Sequence, residues 1–239
     1  MKDSLRTSSK DRLPTEHRLT VLAPKPAASF ALAPEFWAHF VEHYWEQRPC
    51  VIKQPFVTPL ATPAATFEGL VQEQYRVSAE AVSMGFYIES AQLLAEVWKF
   101  IPESGDQSLA GYAARVTRQL QGRRFGLIVE DFQEHAARLW LRICEFLRSL
   151  YPFTGLPGTD AKALVFLGNY EKTPFGLHDG NSSNFAFVVA GRKRLRVWPA
   201  ECLRAQPGIE HTLDYERFLD DSIAQGGRSN YPRRSLSSR

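Results

Sequence analysis

One stretch of this sequence decides the fold: Thr173-Pro-Phe-Gly-Leu-His-Asp-Gly-Asn-Ser-Ser-Asn-Phe-Ala-Phe-Val-Val-Ala-Gly-Arg-Lys-Arg-Leu-Arg-Val-Trp-Pro199. Its β-branched and aromatic residues over Ser183–Ala190 and Lys193–Trp198 predict two strands, whose side chains point alternately to opposite faces. Gly191 lies between them, in a short loop of the kind that joins hairpin strands. We therefore expect a β-hairpin that ends at Pro199.

The predicted alternation gives two polar side chains of this hairpin a candidate role. Lys193 shares its strand face with Leu195 and Val197, whereas Arg194 and Arg196 point the other way, toward solvent. A lysine among apolar side chains either needs an anion or extends its ammonium to water, and both interpretations stay open. Asn184, at the start of the first strand, is a second candidate for holding an anion, or it satisfies backbone groups nearby.

Helical periodicity dominates the chain before this stretch. Apolar residues at helical spacing predict helices over 35–47, 66–74, 107–120 and 132–151, with Pro34 in the first turn of the first helix and Thr66 as the cap of the second. Strands are predicted over 50–53, 81–89, 124–129 and 161–170, and the last of these leads into the loop with His178. After the hairpin we expect a helical turn over 200–205 and a helix over 214–225.

Composition limits the class of protein. The chain has 239 residues, 44% of them hydrophobic and 12% aromatic, which supports one domain with a substantial core. No apolar run approaches the roughly 18 residues of a membrane span, and the first residues lack the apolar block of a signal peptide. We therefore expect a cytoplasmic protein without a membrane partner, whose cysteines, Cys50, Cys144 and Cys202, are reduced and mostly buried.

Charge is unevenly distributed and defines the domain boundaries that we expect. Residues 1–29 carry a net charge of +3 and residues 222–239 a net charge of +4, which leaves the body of the chain at −4. Basic ends on an acidic body argue against a nucleic-acid partner. We expect a flexible segment over 1–29, a folded domain over 30–225 and a flexible basic tail over 226–239.

These motifs resemble the JmjC-like, cupin-type branch of the iron(II) and 2-oxoglutarate-dependent oxygenases. The resemblance covers roughly Phe36 to Ile223, from the Phe-Trp and Tyr-Trp-Glu-Gln-Arg-Pro-Cys-Val-Ile-Lys segments to the Gly-Arg-Lys-Arg and Trp-Pro segments. It implies an α+β fold in which a helical N-terminal half packs on a partial double-stranded β-helix, the sheet of a cupin or jelly roll.

The resemblance also implies a site for iron(II) and 2-oxoglutarate. His178 matches the first iron ligand of the family, and Asp179 is the carboxylate beside it, while Gly180 stands where the family has its second ligand. Asn184 and Lys193 match positions that help to hold 2-oxoglutarate, the lysine through the distal carboxylate. The later family histidine has no clear counterpart, because His211 precedes a predicted helix and not a strand. No catalytic residue is assigned.

Three functions follow from the resemblance and its departures. The first is a dioxygenase that hydroxylates protein or peptide side chains. The second is a non-catalytic cupin-like binding module that needs no cofactor. The third is an inactive, truncated product of a longer oxygenase gene, because the composition changes abruptly after about Gln225. In a half barrel the unpaired sheet edge favours a homodimer.

Overall fold

The computed structural model describes residues 19–72, 84–171 and 182–197, which form a mixed structure of helices and two sheets. The α-helices are α1 (Pro34–His43), α2 (Pro63–Leu70), α3 (Leu109–Gln119) and α4 (Ala137–Thr154). The strands are β1 (Thr20–Leu22), β2 (Cys50–Ile52), β3 (Met84–Ile88), β4 (Ala91–Leu93), β5 (Phe125–Val129) and β6 (Val165–Gly168). Short 3-10 turns cover Val97–Phe100, Ser104–Asp106 and Phe132–Glu134.

The main sheet is antiparallel, with the strand order β4-β3-β5-β6. Its register aligns Phe86 with Leu127 and Leu127 with Leu167, so these side chains share one face. Phe86 and Leu127 are completely buried in the core, whereas Phe166, on the opposite face of β6, is 41% exposed. The sheet therefore buries one face and leaves part of the other open to solvent.

Helices α1 and α4 meet at a half-buried serine that is hydrogen-bonded to both. The indole N–H of Trp37 donates to Ser149 Oγ at 2.9 Å, and the backbone N–H of Leu32 donates to the same oxygen at 3.3 Å. The Trp37 ring is fully buried and lies edge-on to Phe146, with ring centroids 5.4 Å apart. Ser149 thus satisfies a polar group that the aromatic core would otherwise leave unpaired.

The predicted α+β class is confirmed at the level of mixed helix and sheet, and most predicted elements are present. The helices expected over 35–47, 107–120 and 132–151 correspond to α1, α3 and α4, and the strands expected over 50–53, 124–129 and 161–170 correspond to β2, β5 and β6. The elements expected over 200–205 and 214–225, and the tail over 226–239, lie outside the described residues.

Part of the segment expected to be flexible over 1–29 is paired with later residues. Thr20–Leu22 pairs in parallel with Cys50–Ile52, and Lys53 N donates to Leu22 O at 2.7 Å. Ala27 forms a further bridge to Phe56. Because these backbone groups bond to residues about 30 positions away, the pairing could not be seen in the local composition of residues 19–29.

Two helix ends differ from the prediction. The cap of α2 is Thr62 and not Thr66: Thr62 Oγ1 accepts a hydrogen bond from Ala65 N at 3.2 Å, while Thr66 is buried within the helix. Pro152 does not end α4, which continues to Thr154 and ends at Gly155 with a φ of 76°. A glycine adopts this left-handed conformation without the strain that a side chain would cause.

The predicted hairpin is absent from the described part of its range. Neither 183–190 nor 193–197 is assigned to a strand, although Gly191 has the positive φ of 71° that suits a turn. Alternation of side chains is necessary for a strand but not sufficient, since a strand also needs a partner for its backbone hydrogen bonds. An isolated two-stranded hairpin is at best marginally stable in water.

Replacement of the bridging serine tests the junction between α1 and α4. We expect Ser149→Ala to lower the free energy of unfolding by about 1–3 kcal/mol, because the buried indole N–H of Trp37 loses its acceptor. Urea denaturation followed by tryptophan fluorescence measures this change. Ser29→Ala, at an exposed serine, is the matched control and should change stability by less than about 0.5 kcal/mol. Equal effects of the two substitutions would contradict the assignment.

A buried ion pair joins the turn at Ser104–Asp106 to α3. Arg115 donates to Asp106 through Nε at 2.6 Å and through Nη2 at 2.8 Å, and Glu103 N donates to the same carboxylate at 2.8 Å. Burial alone would raise the pKa of Asp106, but these hydrogen bonds and the Arg115 charge hold the pKa of the carboxyl below its usual range.

Acid should weaken the fold through this carboxylate. Because the pKa of Asp106 is lower in the folded chain than in the unfolded chain, its carboxylate stabilises the fold at pH values above the usual aspartate pKa. This stabilisation is lost as the pH falls through the pKa of the folded state. We expect Asp106→Asn to cost roughly 2–3 kcal/mol at pH 7, because Arg115 loses its buried partner. The variant should also lose stability less steeply than the wild type below about pH 4. Denaturation midpoints between pH 3 and pH 7 measure both effects, and parallel pH curves would refute the assignment.

Candidate functional site

The residues proposed as iron ligands lie outside the described residues. His178, Asp179 and Gly180 belong to the range 172–181, and His211 follows residue 197. Within 19–72, 84–171 and 182–197, no group of three or more His, Cys, Asp or Glu side chains could hold a metal ion. Iron binding by His178 and Asp179 therefore stays a prediction.

The first half of the segment 182–197 is anchored on the helices by aromatic side chains. The ring of Phe185 lies 5.0 Å from that of Phe146 on α4 and 6.3 Å from that of Trp37 on α1, measured between centroids. Phe187 also contacts Phe146, at 5.8 Å. These contacts hold the chain against α1 and α4 although no strand forms there.

The second half of the segment brings Lys193 to the end of β6. Lys193 Nζ donates a hydrogen bond to Tyr170 Oη at 2.7 Å, and the ammonium lies 5.0 Å from the ring centroids of Phe166 and of Tyr170. Lys193 is exposed, which agrees with the expectation that its side chain extends toward water, while its binding of an anion stays a prediction. The cation–π contacts restrict where the charge lies.

The ammonium of Lys193 has no acidic partner in the described part of the chain. The ion pairs found there join other residues, such as Arg115 with Asp106 and Lys162 with Asp131. Glu171, which follows Tyr170, pairs with Arg124. Among the described residues, Lys193 is thus a positive charge beside two aromatic rings that has no acidic partner.

Asn184 makes a local contact. Its side-chain amide donates to the backbone carbonyl of Ser182 at 2.7 Å, and the residue is exposed. No hydrogen bond of the described residues joins Asn184 to Lys193. The local backbone role considered for Asn184 is the one that the structure shows.

The predicted solvent-facing arginines have different environments. Arg194 is exposed, as expected. Arg196 is half-buried, and one nitrogen of its guanidinium is inaccessible to solvent. The prediction was wrong for Arg196 because it assumed the regular alternation of a paired strand, which this segment does not form.

Tyr170 is the site residue that the sequence-based reasoning missed. The predicted strand over 161–170 carries Phe166, Gly168 and Tyr170 at intervals of two, which places them on one face if the extended conformation continues. That alternation was the signal available in the sequence. It would have identified the face that Lys193 contacts, although not the contact itself.

A second polar surface is a depression that contains an ion pair between two of its own residues. An open depression of about 430 Å³ is lined by Asp131, Gln133, Glu134, Trp140, Asp160, Ala161 and Lys162. Within it, Lys162 Nζ lies 2.9 Å from Asp131 Oδ1, and the hydrogen bonds from Lys162 and Gln133 hold the pKa of the Asp131 carboxyl below its usual range. Because this pair satisfies its own charges, the depression is a weaker candidate than Lys193.

Cys50 is poorly suited to act as a nucleophile. Cys50 and Cys144 are free but half-buried, so both are less buried than predicted, while Cys202 lies outside the described residues. Burial raises the pKa of the Cys50 thiol to about 11, despite the opposing charge of Arg48. Cys50 is therefore a protonated thiol at neutral pH, and thiols in that state are poor nucleophiles.

Comparisons with known proteins found no match for this chain. The chain matches no family model, and it has no significant similarity to a curated protein or to a solved structure. Among the helices of the described ranges, none has the length and apolar character that crossing a membrane requires.

The anchoring of the segment 182–197 can be tested at Phe185. We expect Phe185→Ala to lower the free energy of unfolding by about 1–2 kcal/mol, less than for a fully buried phenylalanine, and to speed amide exchange across 184–197. Hydrogen–deuterium exchange followed by mass spectrometry measures the second effect. Val188→Ala, at a residue 58% exposed, is the control and should leave exchange unchanged. Unchanged exchange in Phe185→Ala would show that these ring contacts do not anchor the segment.

Proposed function

We propose that this chain is a cupin-like protein of the iron(II) and 2-oxoglutarate-dependent oxygenase type, which hydroxylates side chains of proteins or peptides. The observation that carries the proposal is the ammonium of Lys193, which lies beside β6 without a carboxylate partner among the described residues. Lysine is a compact positive charge with three donors and is suited to hold a carboxylate group.

The sheet supports this assignment in outline. A double-stranded β-helix consists of two facing sheets, and the main sheet here has one face buried on helices and another partly open. We propose that this open face, which carries Phe166, is the inner face of a partial β-helix. A homodimer through the outer edge of β6 and a cytoplasmic location are parts of the same proposal.

The chemistry divides between the cofactors and the residues of the chain. When bound, iron(II) and 2-oxoglutarate would supply the oxidation of a C–H bond, with His178 and Asp179 as the proposed iron ligands. Lys193 would bind and orient the distal carboxylate of 2-oxoglutarate, and the ring of Phe166 would exclude water from one side of the ammonium. Gly180 has no side chain at the position where the family has its second iron ligand, so in this proposal the carboxylate of Asp179 serves as that ligand.

A non-catalytic binding module is the second candidate, and two observations favour it. Asn184 uses its amide for a local hydrogen bond to Ser182, and the segment 182–197 lacks strand pairing. A module of this kind would keep the anion site at Lys193 and would need neither iron nor oxidation.

Cosubstrate turnover distinguishes the two candidates. We expect the full chain, loaded anaerobically with iron(II) and then given oxygen, to convert 2-oxoglutarate to succinate. Lys193→Ala should weaken 2-oxoglutarate binding by about tenfold to a hundredfold, because a charge-assisted hydrogen bond is lost. Lys53→Ala, at an exposed lysine that directly follows β2, is the matched control and should bind as the wild type does.

The outcomes separate clearly. Binding of 2-oxoglutarate without succinate formation, lost in Lys193→Ala, would favour the non-catalytic module. Turnover that is unaffected by Lys193→Ala would contradict the role given to this lysine.

A further inference from the structure

Two histidines share the outer face of helix α1. His39 and His43 are four residues apart, which places their side chains one turn apart along the helix and about 40° apart around its axis. Their imidazole rings are stacked, with ring centroids 4.4 Å apart and an angle of 29° between the ring planes. His39 is exposed and His43 is half-buried, because α1 packs on the core through Trp37 and Phe40. The two rings therefore lie together at the surface.

A backbone hydrogen bond determines which nitrogen of His43 carries a proton. Its Nδ1 lies 3.0 Å from the backbone carbonyl oxygen of His39, and a carbonyl oxygen can only accept. Nδ1 is therefore the donor, and the carboxylate of Glu42, 3.6 Å from the same nitrogen, favours a proton there too. In the neutral ring the lone pair is consequently on Nε2. Histidines that bind metals commonly use this arrangement, in which one nitrogen donates to a carbonyl or carboxylate and the other binds the ion.

The charges around the two histidines favour a cation. Glu35 lies one turn before them, Glu42 and Glu46 lie beside them, and all three carboxylates are exposed. His43 is the last residue of α1, where the negative end of the helix dipole lies. The opposing charge is that of Arg48, whose Nε donates to the backbone carbonyl oxygen of His43 at 2.9 Å. Because three carboxylates outnumber this guanidinium, the surroundings attract a cation more than they repel it.

We propose that His39 and His43 together bind one divalent transition-metal ion, such as Zn²⁺, Cu²⁺ or Ni²⁺, on the surface of α1. Imidazole nitrogens suit these ions, whereas Mg²⁺ and Ca²⁺ prefer oxygen ligands. No third His, Cys, Asp or Glu within the described ranges completes a group with the two rings, so water fills the other coordination positions. The site uses neither Lys193 nor the residues proposed to bind iron(II), and it therefore goes beyond the proposed function.

Calorimetric titration of the full chain with Zn²⁺, without an affinity tag, tests this site. We expect a dissociation constant of roughly 1–100 μM, weaker than that of a structural zinc site with four protein ligands. His39→Ala should weaken this binding by at least about tenfold, because the loss of a residue that only supports a metal ligand already costs that much. The variant should fold, since alanine favours an exposed helical position. Mg²⁺ at the same concentration as Zn²⁺ should not compete.

A variant with the same number of histidines is the matched control for spacing. Ala38→His combined with His39→Ala keeps two histidines on α1 but places them five residues apart, about 140° around the helix axis. Both substituted positions are exposed, so the double variant should keep its fold. We expect it to bind Zn²⁺ as weakly as His39→Ala does. In the wild type, Zn²⁺ should also shift the NMR signals of the His39 and His43 rings, a measurement that does not depend on any variant.

The outcomes separate this site from the proposed iron site. Zn²⁺ binding that His39→Ala and the double variant weaken, but that His178→Ala retains, would support the two-histidine site. Binding lost in His178→Ala and unchanged in His39→Ala would overturn it, because the ion would then lie at the proposed iron ligands. Equal competition by Mg²⁺, or unshifted signals of both rings, would overturn it as well. Failure to form succinate from 2-oxoglutarate would refute the oxygenase and would leave these results unaffected.

Discussion

The burial of one face of the main sheet is the constraint on which the rest of the structure depends. Phe86, Phe125, Leu127 and Val129 are completely inaccessible to solvent, and they lie on one face because β3 and β5 pair in a single register. A shift by one residue would exchange this face for the one with Tyr87 and Ile128. The same register therefore determines which side chains reach the open face, and Phe166 of β6 is among them.

Much of this arrangement could be predicted from local sequence, and the exceptions have physical reasons. Helices α1, α3 and α4 and strands β5 and β6 follow from periodicity, since one stripe or face of each has to be buried. The cap of α2 was misplaced because two threonines stand four residues apart, although Pro63 at the first helical position indicates Thr62. Strand β1 was missed because its stability comes from pairing with β2, which is far along the chain.

At the candidate site, too, the local sequence predicted some features, whereas contacts between distant residues could not be predicted from it. The residue type and the apolar neighbours in sequence predicted that Lys193 binds an anion or extends to water, and in the structure the residue is exposed beside two aromatic rings. Its contact with Tyr170 joins positions 23 residues apart, so it depends on the path of the chain between them. The alternation that predicted a hairpin was misleading, because the residues of 182–197 are held by aromatic packing and not by a strand ladder.

An exposed charge attracts an anion only weakly, so Lys193 alone would not bind a ligand tightly. Two unit charges 4 Å apart in water attract each other by only about 1 kcal/mol, and salt reduces this further. Selective binding of a carboxylate at such a site requires additional donors and an apolar surface that displaces water. In the structure, Lys193 Nζ donates a hydrogen bond to Tyr170 Oη, and the exposed ring of Phe166 lies beside the ammonium. Phe166 and Tyr170 come from β6 and its continuation, so the sheet limits how far these two residues can move apart, whereas Lys193 is held by the packing of the segment 182–197.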